Sequence, residues 1–148
     1  MSVHVQTDDF DLGAEVSKLS SDPSVGAVVS FTGIVRDAAQ SGLISMELEC
    51  YPGMVEQALN DIEIKARNRW DLKASVIIHR IGNLKLGEQI MMVATASPHR
   101  QDAFEAAEFL MDYLKSEAPF WKKEHFQDHA KWVDARETDL QSLKRWQD

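Results

Sequence analysis

The chain holds a single cysteine, Cys50, among its 148 residues, which excludes an internal disulfide framework and any multi-cysteine zinc or iron–sulfur centre. No apolar run approaches the ~20 residues that a membrane-spanning helix needs. The opening MSVHVQTDDF carries neither a basic nor an apolar leader segment, so a cytoplasmic protein is the expectation. Basic charge is also scarce, since 16 Lys and Arg against 24 Asp and Glu give a net charge of −8. Nonspecific nucleic-acid binding rests on a basic face that neutralises phosphates, so that class is disfavoured and any anion site must be local. Gly-rich phosphate loops, HExxH, CxxC and GxSxG are missing, and with them the usual signals of NTPases, metalloproteases, thiol-redox proteins and α/β-hydrolases. Neither a metal nor a cofactor is expected.

What is present is an ordinary globular composition, 44% hydrophobic and 27% charged, in a length that suits one domain over residues 1–148. Val3 to Gln6 alternates as a strand, and Leu12, Val16 and Leu19 recur at helical spacing. The run GAVVSFTGIVRD from Gly26 predicts a strand in which Gly33 marks a bulge or a close backbone approach. Ile44 to Tyr51 alternates again, with Met46, Leu48 and Cys50 on one face, so Cys50 reads as a half-buried structural thiol. Pro52 suits the first turn of a helix whose buried stripe is Val55, Leu59, Ile62 and Ala66. Lys73 to Ile81 and Glu88 to Ala96 predict two strands of a hairpin, with His79 structural or exposed on the first.

Ser97 as N-cap and Pro98 at the first helical position start a helix that ends near Glu117, with Ala103, Phe104, Ala107, Leu110, Met111 and Leu114 as its apolar stripe. Phe120 to Phe126 and Ala130 to Ala135 predict a last hairpin, followed by a short amphipathic helix or docking tail. This order points to an α+β fold built from antiparallel hairpins rather than a doubly wound parallel sheet.

The stretch from Lys115 to Arg136 sets Lys115, Lys122, Lys123, Lys131 and Arg136 around Phe120, Trp121 and Trp132. Amines beside aromatic walls fit an anionic, ring-bearing ligand; a surface hairpin with solvated lysines is the competing reading. Arg36, His99, Arg100, Lys115, Lys122 and Arg136 each fall at the end of a predicted element. Converging cations would bind a phosphate or carboxylate by charge-assisted hydrogen bonds. They would also favour a neutral lysine, a competent base or nucleophile. His99 and Arg100 sit at a helix N-terminus that cations normally avoid, so either an anion completes the site or both side chains point into solvent.

Six blocks carry a family resemblance: GAVVSFTGIVRD, LECYPGM, HRIGNLKLGE, VATASPHRQDAFEA, LKSEAPFWKKE and KWVDARE, in that order from Gly26 to Glu137. With these, the chain resembles the large, catalytic subunits of molybdopterin synthase. One departure is that the turn after WKKEHF lacks the glycine expected there. The resemblance implies an α/β hammerhead-like domain with a small β subdomain. It also implies a homodimer, with a small ubiquitin-like subunit docked at each end to make a heterotetramer.

That small subunit would bring sulfur as a C-terminal thiocarboxylate, and the substrate would be cyclic pyranopterin monophosphate (precursor Z). Two sulfur transfers would build the dithiolene of molybdopterin. By motif, Lys115 and Lys122 are the implied catalytic residues. Arg36, His99, Arg100 and Arg136 match substrate-anion positions, and Phe31, Met111, Pro119 and Phe120 are walls for the pterin or the inserted tail. The family's pocket draws on both protomers. The rival reading is a non-catalytic module that binds a ubiquitin-like tail or a phosphorylated ligand.

Overall fold

The computed structural model describes residues 2–37, 40–133 and 137–147. Within them the chain runs β1 (Ser2–Gln6), α1 (Leu12–Lys18), β2 (Ala27–Ile34), β3 (Ser45–Glu49), α2 (Met54–Arg69) and β4 (Ala74–Arg80). It continues through β5 (Gly82–Lys85), β6 (Gln89–Ser97), α3 (Arg100–Glu117), β7 (Trp121–His125), β8 (Ala130–Val133) and α4 (Glu137–Lys144). One sheet has the order β1-β4-β6-β2, with β1 parallel to β4 and the other pairs antiparallel. The second, β5-β3-β7-β8, is antiparallel throughout and forms the smaller β layer. This is the α+β architecture that the pattern of hairpins predicts.

Alternation along β4 explains the core. Ile77 joins Val55, Leu59, Phe109 and Leu110 of α2 and α3 on one face, while Val76 and Ile78 meet Phe10 and Leu19 around α1 on the other. Both faces are covered, so β4 and β6 read as nearly unbroken apolar runs. A third cluster of Val35, Leu43, Met46, Leu48 and Leu84 lies under the second sheet. Trp146, beyond α4, packs edge-on against Trp70 and Phe109 at centroid distances of 5.6 and 5.5 Å, which makes the closing stretch a docking tail.

Several boundaries differ from expectation, each for a local reason. β4 and β6 do pair antiparallel, but their connection is itself a strand, β5, which leaves the first sheet to pair with β3 and buries Leu84 opposite Met46. Gly82 and Gly87, at φ 91° and 87°, let the chain turn at both ends of that excursion. Ser97 is not a helix cap. It stays buried in β6, where its hydroxyl donates to the Asp71 carbonyl at 2.6 Å, and α3 begins at Arg100 with His99 as an N-cap lacking a side-chain bond. α2 likewise starts after Pro52, at Met54, where Glu56 accepts from the Gly53 N–H at 2.8 Å. The predicted bulge at Gly33 is present as a register shift between Gly33 and Ile34. The β7–β8 hairpin closes without a glycine, the Phe126 N–H donating to the His129 carbonyl at 2.8 Å.

Candidate active site

The two ends of α3 carry most of the candidate residues. At its C-terminal end, Pro119 disfavours helical backbone at Ala118, which is extended at φ −72° and ψ 127°. The chain then turns through Phe120 into β7. Lys115 is exposed on the last helical turn, where a cation suits the negative end of the dipole. Lys122 is half-buried in β7 and shares a face with its register partner Leu48, a residue of the cluster under the second sheet. Trp121 and Lys123 therefore point to the opposite face.

Phe120 stacks on His79 of β4, with centroids 3.8 Å apart and planes 20° from parallel. His79 is 4% exposed, and its Nδ1 lies 2.9 Å from the Arg80 carbonyl oxygen. A carbonyl only accepts, so Nδ1 carries the proton. Burial above all, opposed by the bond to Arg80 and aided by the charges of Lys115 and then Lys122, pushes the His79 imidazole down to about 4. Phe120, between Lys115 and Lys122 in the chain, is held against His79 by the stack.

The buried neutral ring has a consequence for stability. Its folded value lies below its ordinary 6.5, so its contribution is whole above about pH 6.5 and is lost as pH falls to about 4. Urea unfolding of the wild type should lose about 3 kcal/mol between pH 7 and pH 4 that a His79→Leu variant does not lose. Parallel pH profiles of the two proteins would contradict this.

At the other end of α3, Gly26, Ala27, Pro98, His99, Arg100 and Gln101 line an open cavity of about 450 Å³. The Gly26 N–H donates to the Ser97 carbonyl at 3.0 Å. A Cβ at Gly26 would collide with the Pro98 carbonyl oxygen, so glycine is required for this approach. His99 and Arg100 are exposed beside the first N–H groups of the helix, which have no intrahelical partners. α3 is 18 residues long, about 27 Å. His99 and Arg100 therefore do not meet Lys115 within one chain.

Arg36 is exposed just past β2. Behind it the Asp37 carboxylate accepts from the N–H groups of Ser41, Gly42 and Leu43 at 3.1, 2.8 and 3.1 Å. Desolvation would raise the Asp37 carboxyl, but these donors outweigh it and hold it below its ordinary value. Phe31, on β2, is 43% exposed. Met111 and Phe120 are partly buried against the α2–α3 core, and Pro119 is half-buried. Arg136 lies outside the described residues.

The expectation that Trp121 and Trp132 wall the lysine pocket is corrected. They line a separate cavity of about 400 Å³ with Glu49, Cys50 and Tyr51, because alternation sends them to the face opposite Lys122. Lys123 and Lys131 lie over the rings of Trp132 and Phe126 at 5.3 and 5.6 Å. Cys50 has its thiol raised by burial and by the charge of Glu56, which disfavours the thiolate and agrees with a structural role. His79, expected to be structural or exposed, is a buried structural residue, and sequence reasoning missed buried Arg80 beside it, which donates to the carbonyls of Thr7 and Gln89. The available signal was a pair of polar residues ending the apolar run ASVIIHR.

The chain matches the model of the MoaE protein family over residues 5–117. It is 56% identical over 147 residues to a molybdopterin synthase catalytic subunit of Ralstonia nicotianae, covering 98% of this chain and 84% of that one. It superposes on the solved molybdopterin biosynthesis MoaE protein of Burkholderia ambifaria with a TM-score of 0.83, at 51% identity and with 99% of each chain covered. A complex of subunits 1 and 2 of the molybdopterin-converting factor from Helicobacter pylori shares the fold, with a TM-score of 0.77 at 19% identity over 90% of this chain and 91% of that one. The family match takes in the whole of α3 and the relative covers nearly the full chain, so the chain belongs to the MoaE family of molybdopterin synthase catalytic subunits.

Proposed function

We propose that this subunit, an enzyme of molybdenum cofactor biosynthesis, transfers sulfur from the C-terminal thiocarboxylate of a small ubiquitin-like subunit to cyclic pyranopterin monophosphate. The observation that carries the proposal is the placement of Lys115 at the end of α3 and of Lys122 in β7, on either side of the turn whose Phe120 stacks on His79. Lys115 acts nearest the incoming tail, as base or as electrostatic stabiliser of a thioester-like intermediate. Lys122 holds the pterin or assists proton transfer. Cys50, with its thiol raised, is not needed as a sulfur source. Each tail delivers one sulfur, so two donor visits pass through a hemisulfurated intermediate.

Arg36, His99, Arg100 and Arg136 hold the substrate's phosphate by charge-assisted hydrogen bonds. Because α3 separates His99 and Arg100 from Lys115, one active site combines Lys115 and Lys122 of one protomer with His99 and Arg100 of its partner. A twofold homodimer allows this, since it places the same surface of each copy against the other. The small subunit docks so that its tail reaches the lysines, in keeping with the two-subunit complex found for the neighbour of the same fold.

The test is reconstitution. Purified chain with thiocarboxylated small subunit and precursor Z should yield molybdopterin with two sulfurs per product under single-turnover conditions. Calorimetric binding of the tail with no sulfurated product would instead make the protein a binding module.

A further inference from the structure

One face of α3 belongs neither to the core nor to the proposed chemistry. Glu108, Asp112 and Ser116 recur at helical spacing and so stand one above another along it. The C-terminal segment bonds to each of them. Arg145 pairs with the Glu108 carboxylate and reaches Asp112 at 3.7 Å. The Trp146 indole N–H donates to Asp112 at 2.6 Å, and the Ser116 hydroxyl donates to the Asp139 carbonyl of α4 at 3.0 Å. The segment is seated from the other side as well, since Leu143 is buried in the α2–α3 core and Arg69 of α2 donates to the Trp146 carbonyl at 3.2 Å. The half-exposed Arg145–Glu108 pair adds little. The indole bond to a carboxylate and the packing of Trp146 on Trp70 and Phe109 make the hold firm.

Ser116 is the neighbour of Lys115 in the last turn of α3. That turn closes without the left-handed residue that commonly caps a helix, because Pro119 keeps Ala118 extended. Such helix ends fray unless something outside the helix holds them. We propose that α4, Arg145 and Trp146 form a clasp on α3 and that Ser116 is a positioning residue: its bond to Asp139 holds the last turn, and with it the direction of the Lys115 side chain. Tyr113 and Leu114 fix the inner side of the turn in the core, and Ser116 fixes its outer side. Lys115 is exposed between these two holds. The step that the clasp serves rests on the sulfur-transfer reading, but the clasp itself is measurable without turnover.

Ser116→Ala removes the hydroxyl and little else, whereas Ser116→Thr keeps it. Amide hydrogen exchange on the full chain should be about tenfold faster at Lys115, Ser116 and Glu117 in Ser116→Ala, unchanged at Ala106 and Ala107, and near the wild-type rates throughout in Ser116→Thr. In the reconstituted complex, Ser116→Ala should lower kcat about tenfold with KM for precursor Z unchanged, the loss expected of a misdirected reacting group. Ser116→Thr should recover most of that loss. Trp146→Ala opens the clasp at its other end and should reproduce it. The double variant should lose less than the product of the two single losses, since both act through one clasp. Wild-type kcat in Ser116→Ala, no recovery in Ser116→Thr, multiplicative losses in the double variant, or unaltered exchange in the last turn would each overturn the assignment. Failure of the wild type to make sulfurated product would overturn the sulfur-transfer reading instead, and the exchange rates would still decide the clasp.

Discussion

Lys115→Ala is expected to keep its fold and to lose at least about a hundredfold in turnover, the lower end of what a positioned acid or base contributes. The side chain is exposed on the last turn of α3, outside the hydrophobic clusters. Its removal costs the favourable contact with the helix dipole, about 0.3–1 kcal/mol, so urea unfolding should shift only slightly. An exposed place at the helix end, with the chemistry proposed for it there, accounts for the asymmetry between stability and rate. Phe109, by contrast, is 1% exposed in the core beneath the same helix, and truncating such a residue acts through folding rather than through chemistry. Single-turnover assays and unfolding curves on the same preparation check both halves. Turnover at the wild-type rate would remove Lys115 from the mechanism.

Most of the fold was legible because it is written locally. The stripe Val55, Leu59, Ile62 and Ala66 is buried as its spacing predicts, and the alternation of Met46 and Leu48 places both in one cluster. What the sequence concealed was set by partners far along the chain. Four-residue β5 is a strand because β3 is there to pair with it, and nothing in GNLK states that. Ser97 has the chemistry of a cap but spends its hydroxyl on Asp71, which comes from the α2–β4 connection.

The site divides in the same way. Each cation was recognisable as an element end, and the helix N-terminus at His99 and Arg100 was legible as either an anion site or a pair of solvated side chains, although α3 starts a little later than Ser97 and Pro98 imply. The stack of Phe120 on His79 was not readable, because His79 is a residue of β4 whose burial depends on a turn much later in the chain. Period-two alternation in β7 did contain the fact that Trp121 and Lys122 face opposite ways, and it overrules the grouping of the tryptophans with the lysines.

The central claim is that one active site is built from two copies of the chain, because the 18 residues of α3 hold His99 and Arg100 about 24 Å from Lys115. The direct measurement is complementation between two inactive variants, Lys115→Ala and Arg100→Ala, co-refolded in equal amounts so that protomers reassort. If the site is shared, each mixed dimer gathers both lesions into one site and leaves the other intact. Random pairing makes half of the dimers mixed, each with one working site of two, so the mixture should recover about a quarter of wild-type turnover. If Arg100 and Lys115 serve the same site within one chain, every site in the mixture carries a lesion, and turnover no higher than that of the separate variants would contradict the account.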